Sequence, residues 1–146
     1  QPVNTPAEMI FRMSVAGIGA DTVITRVREG KAQQLTVPLR APANEPPRGQ
    51  IVTGERSAIP GLTLSTINPV VMSEYDLPLG AEGVIVDDPG QIGARAGLRP
   101  GDILRGVNGT EITDTATARD LLARASGRLA LDVQRGNRRV VMRFRL

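Results

Sequence analysis

The side chains that most often carry out chemistry in proteins are scarce in this chain. Its 146 residues include neither cysteine nor histidine, so thiolate nucleophiles, cysteine metal sites and a Ser-His-Asp triad are excluded. The adjacent carboxylates Asp87 and Asp88 could form a catalytic pair or a metal site. Because Pro89 and Gly90 follow them, we interpret them as part of a polar turn. We therefore expect no catalytic residue, metal or other cofactor in this chain.

Charge and composition narrow the classes of partner. The net charge is +3, but the arginines are spread along the chain and only 2% of the residues are aromatic. Nucleic-acid binding is therefore not expected, since stacking platforms for bases are lacking. No apolar run approaches the roughly 18 residues of a membrane span. The opening residues 1–4 also lack the basic and then apolar pattern of a signal peptide.

A helix–strand–turn–strand unit occurs twice. The first copy runs from Val3 through a turn at Arg28-Glu29-Gly30, and the second from Ile112 through a turn at Arg135-Gly136-Asn137. Positive backbone φ is tolerated by Gly and Asn, which suits both turns. Only the second copy has a long sequence before it. The first copy is therefore predicted to begin in the middle of a domain.

The elements of the second copy follow from its periodicity. Thr113 and Asp114 are candidate N-caps, and residues 129–134 and 138–145 are predicted strands. The helix presents one apolar stripe at positions i, i+3, i+4 and i+7, which consists of Ala118, Leu121, Leu122 and Ala125.

Further strands are predicted before this helix. Residues 62–66, 83–87 and 102–107 have strand character, with a short helical turn at 92–96. Three prolines in the polar stretch 40–49 indicate an extended linker that spaces two modules.

Residues 94–109 contain the most specific motif, Ala-Arg-Ala-Gly-Leu-Arg-Pro-Gly-Asp-Ile-Leu-Arg-Gly-Val-Asn-Gly. Gly97 can end a helix in the left-handed conformation, and Pro100-Gly101 suits a tight turn. Asp102 can accept hydrogen bonds there, and Asn108-Gly109 is a hairpin signal. This string resembles the signature of PDZ domains, in the strand order common in bacteria.

The resemblance extends to an arrangement of domains. Half a PDZ domain, a linker and a final PDZ domain containing Gln134-Arg135-Gly136 resemble the C-terminal tail of HtrA/Deg-type serine proteases. The resemblance implies an α+β or mainly β fold. This fold would be a small antiparallel β-barrel or sandwich that is capped by one longer and one short helix. The implied domains are the second half of a PDZ at 1–41, a Pro-rich linker at 42–55 and a complete PDZ at 56–146.

The resemblance also implies a binding site. PDZ domains add a peptide as an extra strand to a sheet edge beside a helix, and a loop of backbone N–H groups holds the peptide carboxylate. Leu121 and Leu122 could each face the groove or the core. We expect one of the two to face the groove and the other to face the core. The matching positions are Ile59, Pro60, Gly61, Leu62, Thr63, Leu64, Ala118, Leu121 and Leu122.

Pro60 departs from the family pattern because proline has no N–H to donate. Gly61 and Leu62 could still donate to a carboxylate. Arg56 could reach the carboxylate through water, or be an ordinary solvated side chain. We therefore expect weak binding of free C-termini, or use of the groove for another segment.

By resemblance, the chain is the non-catalytic binding region of a periplasmic quality-control protease whose parent is a trypsin-like serine endopeptidase. Its implied partners are peptides or unfolded protein segments, neighbouring subunits or the parent's protease domain. The alternatives are a PDZ module of another envelope protein, such as a secretion component or membrane-embedded protease, or a purely oligomerising element.

The first 41 residues are expected to need a partner, because segments near 40 residues seldom bury enough surface to fold alone. We predict that this half packs on the neighbouring PDZ domain or pairs its open edge with another chain. The apolar face that motivates this prediction consists of Met9, Phe11 or Met13, Val23 and Val37.

Overall fold

One helix and one hairpin form the first of two units in the computed structural model, which describes residues 2–146. This unit is Gln1–Pro42. Helix α1 (Pro6–Ala16) begins after Thr5, whose hydroxyl accepts a hydrogen bond from the Glu8 N–H at 3.1 Å. Strands β1 (Asp21–Arg28) and β2 (Lys31–Pro38) pair antiparallel around a two-residue turn.

Apolar side chains of the first unit remain accessible. No residue described between positions 2 and 42 is buried. Phe11 is 67% exposed and Val23 is 60% exposed, while Met13 and Val37 are half-buried. The predicted apolar face is thus present, and how it is covered stays a prediction.

The second unit, Ala43–Leu146, is built on an antiparallel sheet. Its strand order is β3-β4-β5-β6-β8-β9, with β7 paired to β6. Between the strands lie the helices α2 (Pro69–Glu74), α3 (Gly90–Arg95) and α4 (Thr115–Arg124). The strands are β3 (Ile51–Val52), β4 (Thr63–Thr66), β5 (Val84–Asp88), β6 (Ile103–Val107), β7 (Thr110–Glu111), β8 (Arg128–Arg135) and β9 (Arg138–Arg145).

The predicted antiparallel fold is confirmed, but the sheet is not a closed barrel. Across residues 2–146, its path runs from β3 at one edge to β9 at the other. Leucine, isoleucine and valine side chains from the strands and the loops between them, with Ala118 and Leu122 of α4, form the main core. A smaller cluster of Ile67, Val71 and Ile85 with Ile103 lies beside α2.

The signature segment folds as its residues predict. Gly97 follows α3 with a φ of +93°, and Gly101 has a φ of +85°. The Asp102 carboxylate accepts a hydrogen bond from the Arg99 N–H at 2.9 Å and two from Arg135 at 2.7 Å each. Since Asp102 is almost fully buried, this paired guanidinium fixes the turn between α3 and β6 to the end of β8.

Residues 43–55, predicted as most of a linker, belong to the second unit. The Asn68 side-chain amide donates to the Asn44 side-chain oxygen at 2.7 Å and to the Pro46 carbonyl at 2.9 Å. The prolines indicated an extended spacer between two modules, and this stays a prediction. They could not show that polar side chains fix this chain to the domain.

Candidate peptide-binding cleft

Strand β4 and helix α4 face each other and define the β4–α4 cleft. The Thr115 N–H, at the start of α4, donates to the Thr66 hydroxyl at the end of β4 at 3.1 Å. At the opposite end, the Ala58 N–H donates to the Leu122 carbonyl at 3.0 Å. Both ends of the cleft are therefore fixed by hydrogen bonds.

Helix α4 is aligned by its N-cap and its apolar stripe. The Asp114 carboxylate accepts a hydrogen bond from the Thr117 N–H at 2.7 Å, and this bond holds the pKa of Asp114 below its usual value. Ala118 and Leu122 are fully buried against the sheet. Leu121 is half-buried and packs against the same core, which makes it the candidate residue for the rim of the β4–α4 cleft.

Residues 48–53 occupy the outer edge of β4, and we call them the edge segment. β3 lies within this segment and pairs antiparallel with β4, with Ile51 opposite Leu64. The Thr66 N–H donates to the Arg48 carbonyl at 2.8 Å, and the Thr53 N–H donates to the Leu62 carbonyl at 2.9 Å. Since the other edge of β4 pairs with β5, both edges of β4 are paired.

Thr53 occupies the loop that the sequence suggested for a peptide carboxylate. The Gly61 N–H donates to the Thr53 carbonyl at 3.0 Å, and the Leu62 N–H donates to the Thr53 hydroxyl at 2.8 Å. That hydroxyl in turn donates to the Ile59 carbonyl at 2.5 Å. The Gly61 and Leu62 N–H groups, the two donors that remain beside Pro60, therefore already donate to Thr53.

The structure brings most of the predicted site residues together but buries many of them. Ile59, Leu62 and Leu64 lie in the core with Ala118 and Leu122. The remaining positions are accessible to different degrees: Pro60, Thr63 and Leu121 are half-buried, while Gly61 and Arg56 are exposed.

Polar side chains fix the edge segment to the sheet. The Arg48 guanidinium donates to the Ser65 hydroxyl at 3.0 Å, to Glu74 at 2.8 Å and to Asp87 at 3.2 Å. The Gln50 amide also donates to Asp87, at 2.9 Å. These contacts were not predicted, because their partners are distant in sequence and carry no motif.

A second anchor comes from the helix. The Thr115 hydroxyl donates to the Gly49 carbonyl at 2.7 Å. Gly49 has a φ of +51°, and a Cβ there would lie 3.2 Å from the Thr115 hydroxyl oxygen. The close approach of the edge segment to α4 thus depends on a glycine at this position.

Asp87 is the shared acceptor of this network. Burial opposes ionisation, but hydrogen bonds from Ser65, Tyr75 and Gln50, with the charge of Arg48, outweigh it and lower the pKa of Asp87. Burial and the hydrogen bond to Asp87 raise the pKa of Tyr75 to about 12. Asp88, the other member of the acidic pair, accepts a hydrogen bond from the Gly90 N–H at 2.8 Å, as in a turn.

The second unit has the PDZ fold, and residues 86–135 match the family described as "PDZ domain". The structure resembles a crystal structure of the HtrA3 PDZ domain bound to a phage-derived ligand (FGRWV). The TM-score is 0.50 at 24% identity, with 66% of this chain and 83% of that chain covered. At this identity, the likeness establishes the fold alone.

The chain is homologous to HtrA-like periplasmic proteases over most of its length. It is 27% identical to the periplasmic pH-dependent serine endoprotease DegQ of Escherichia coli, over 99% of this chain and 30% of that protein. It is 24% identical to a probable periplasmic serine protease do/HhoA-like of Haemophilus influenzae, over 94% of this chain and 27% of that protein. The chain thus spans about three-tenths of these relatives.

None of the helices formed by residues 2–146 has the length and apolar character that crossing a membrane requires.

Proposed function

We propose that this chain is the non-catalytic peptide-binding region of a periplasmic HtrA/Deg-like serine endopeptidase that acts in protein quality control. It binds segments of unfolded substrates by adding them as a strand to β4 beside α4. One observation carries the proposal: the edge segment lies antiparallel on β4, in the arrangement that an added peptide strand would take.

The donors around the loop favour internal segments over free C-termini. Pro60 offers no N–H, and the Gly61 and Leu62 N–H groups donate to Thr53. A hydrogen bond to a charged group is worth about 1.5–3 kcal/mol, which is about ten- to a hundredfold in affinity. We therefore expect the carboxylate of a peptide to add little to its binding.

A second candidate function is docking between subunits. The accessible apolar side chains of the first unit support it, because contiguous exposed apolar surface commonly marks a protein interface. Phe11 is 67% exposed and Val27 is 73% exposed.

Fluorescence anisotropy with labelled apolar peptides, each with a free and an amidated C-terminus, tests the proposed function. Leu121→Glu should weaken binding at least tenfold, because a charge at the rim opposes an apolar ligand side chain. Arg124→Glu on the exposed end of the same helix is the matched control and should bind like the unchanged chain. Binding that vanishes on amidation would instead assign the cleft to C-termini.

A further inference from the structure

We infer that the edge segment is an intramolecular ligand of the β4–α4 cleft, an inference that rests on the proposed peptide-binding function. The edge segment must leave β4 before a peptide can bind, so the cleft is regulated by its own chain.

Main-chain hydrogen bonding makes the two occupants mutually exclusive. A peptide added to this edge needs the outward N–H and C=O groups of β4. The Thr66 N–H is already bonded to Arg48, and the Leu62 carbonyl to Thr53. With β5 on the opposite edge, β4 has no unoccupied edge for a further strand. Peptide and edge segment therefore compete for the same groups.

The side chains of the edge segment also alternate as those of a bound strand do. Ile51 is half-buried and packs against the main core, as Leu121 does. Its neighbour Val52 is 64% exposed. Ile51 thus takes the inward position that an apolar ligand residue would fill, and Val52 points outwards.

The edge segment occupies the position on β4 that a peptide strand would take. An incoming peptide therefore gains its site by displacing the edge segment from β4.

The edge segment is attached in a way that permits exchange. Its β-ladder spans only the two residues of β3, and much of its attachment is polar, through Arg48 and Gln50 to Asp87. Because the segment is tethered, its effective concentration is on the order of millimolar. The apparent Kd of a peptide is then its intrinsic Kd divided by the fraction of open cleft.

The test uses a fluorescein-labelled, amidated hexapeptide with the sequence of residues 48–53, Arg-Gly-Gln-Ile-Val-Thr. Arg48→Ala combined with Ile51→Ala in the full chain removes the polar and apolar anchors of the edge segment. This release variant should bind the hexapeptide at least tenfold more tightly than the unchanged chain. Val52→Ala, on the same strand but facing outwards, is the matched control and should bind like the unchanged chain.

A reversible lock covers the case in which the release variant folds poorly. Val52 and Thr63 are directly opposite, and side chains so placed are close enough for a disulfide. The chain has no other cysteine, so Val52→Cys with Thr63→Cys gives one defined bond. The oxidised lock should abolish hexapeptide binding, and reduction should restore it.

Equal affinity in the unchanged, released and locked forms would overturn the inference alone, because a bound edge segment would then not exclude a peptide. A different result would contradict the proposed function itself. If no form binds any peptide while the Thr66 amide of the release variant exchanges faster than in the unchanged chain, the cleft opens and accepts nothing. The proposed function would then fail, and the inference with it.

Discussion

At the scale of single residues, Asp87 and Thr53 determine how the edge of β4 is used. Asp87 accepts hydrogen bonds from Tyr75, directly after α2, from Ser65 of β4 and from the edge segment. Thr53 uses its carbonyl and hydroxyl to engage the loop at Gly61 and Leu62. In the sequence, Asp87 is one of two adjacent acids and Thr53 belongs to no motif. Their roles depend on residues far away in the chain and could not be predicted.

Asp87→Asn should destabilise the second unit by about 1–3 kcal/mol, because Arg48 loses one of its two charged partners and the hydrogen bonds from Ser65 and Tyr75 weaken. The free energy of unfolding is measured by urea denaturation. Asp120→Asn removes an exposed acid of α4 and should change stability by less than about 0.5 kcal/mol. Equal effects of the two substitutions would contradict the role of Asp87.

The contribution of Asp87 should disappear in acid. A carboxylate whose folded pKa is lowered stabilises the protein above its unfolded pKa, about 3.9, and that contribution is lost as the pH falls towards the folded pKa. The stability difference between the unchanged chain and Asp87→Asn should therefore be constant above about pH 5 and shrink below about pH 4. Melting curves from pH 7 to 2.5 measure it, and a difference that grows in acid would contradict this sign.

At the scale of elements, local signals predicted the strands and helices of the second unit well. The strands predicted at 129–134 and 138–145 are observed as Arg128–Arg135 and Arg138–Arg145, since alternation and the turn between them are local properties. The position of residues 43–55 was not predicted. Pairing at a sheet edge depends on tertiary contacts that proline content does not encode.

The two adjacent leucines of α4 should separate stability from binding. Leu122→Ala should cost about 2–5 kcal/mol, because it leaves a cavity in the core. Leu121→Ala should cost clearly less, because that side chain is half-exposed, yet it should weaken peptide binding. Urea denaturation and anisotropy compare the two variants. Similar losses of stability would contradict the placement of Leu121 at the rim.

Gly90 allows the loop before β4 to lie close to α3. A Cβ at Gly90 would lie 2.5 Å from the Gly61 carbonyl oxygen. Gly90→Ala should therefore add a backbone clash of about 1–3 kcal/mol to the strain of its positive φ. Gly80 also has a positive φ, but a Cβ there would meet no atom within 4 Å. Gly80→Ala should therefore cost less stability than Gly90→Ala. Urea denaturation measures both, and equal costs would rule out the clash.

At the scale of the whole molecule, the two units differ in how much they bury. The second unit has a continuous apolar core, whereas no described residue of the first unit is buried. The repeat in the sequence correctly indicated a helix followed by a hairpin in both units. What covers the first unit could not be predicted, because that depends on surfaces outside the repeat.

The first unit should make the chain associate. Light scattering should give a mass that rises above 15.5 kDa with concentration, because α1 and the hairpin leave apolar side chains accessible. Phe11→Asp should reduce association, and Arg28→Asp, a charged position on the same unit, should change it less. A strictly monomeric chain whose residues 2–40 exchange their amide hydrogens at once would contradict this prediction.

The central claim is that the outer edge of β4 binds an extended strand and that residues 48–53 occupy it until a peptide arrives. Its most direct test is the NMR coupling across the hydrogen bond between the Thr66 N–H and the Arg48 carbonyl, measured on the labelled chain with and without saturating hexapeptide. We predict that the coupling is present in the free chain and is replaced by a coupling from Thr66 to a peptide carbonyl. A coupling to Arg48 that persists while the peptide is bound would contradict the account.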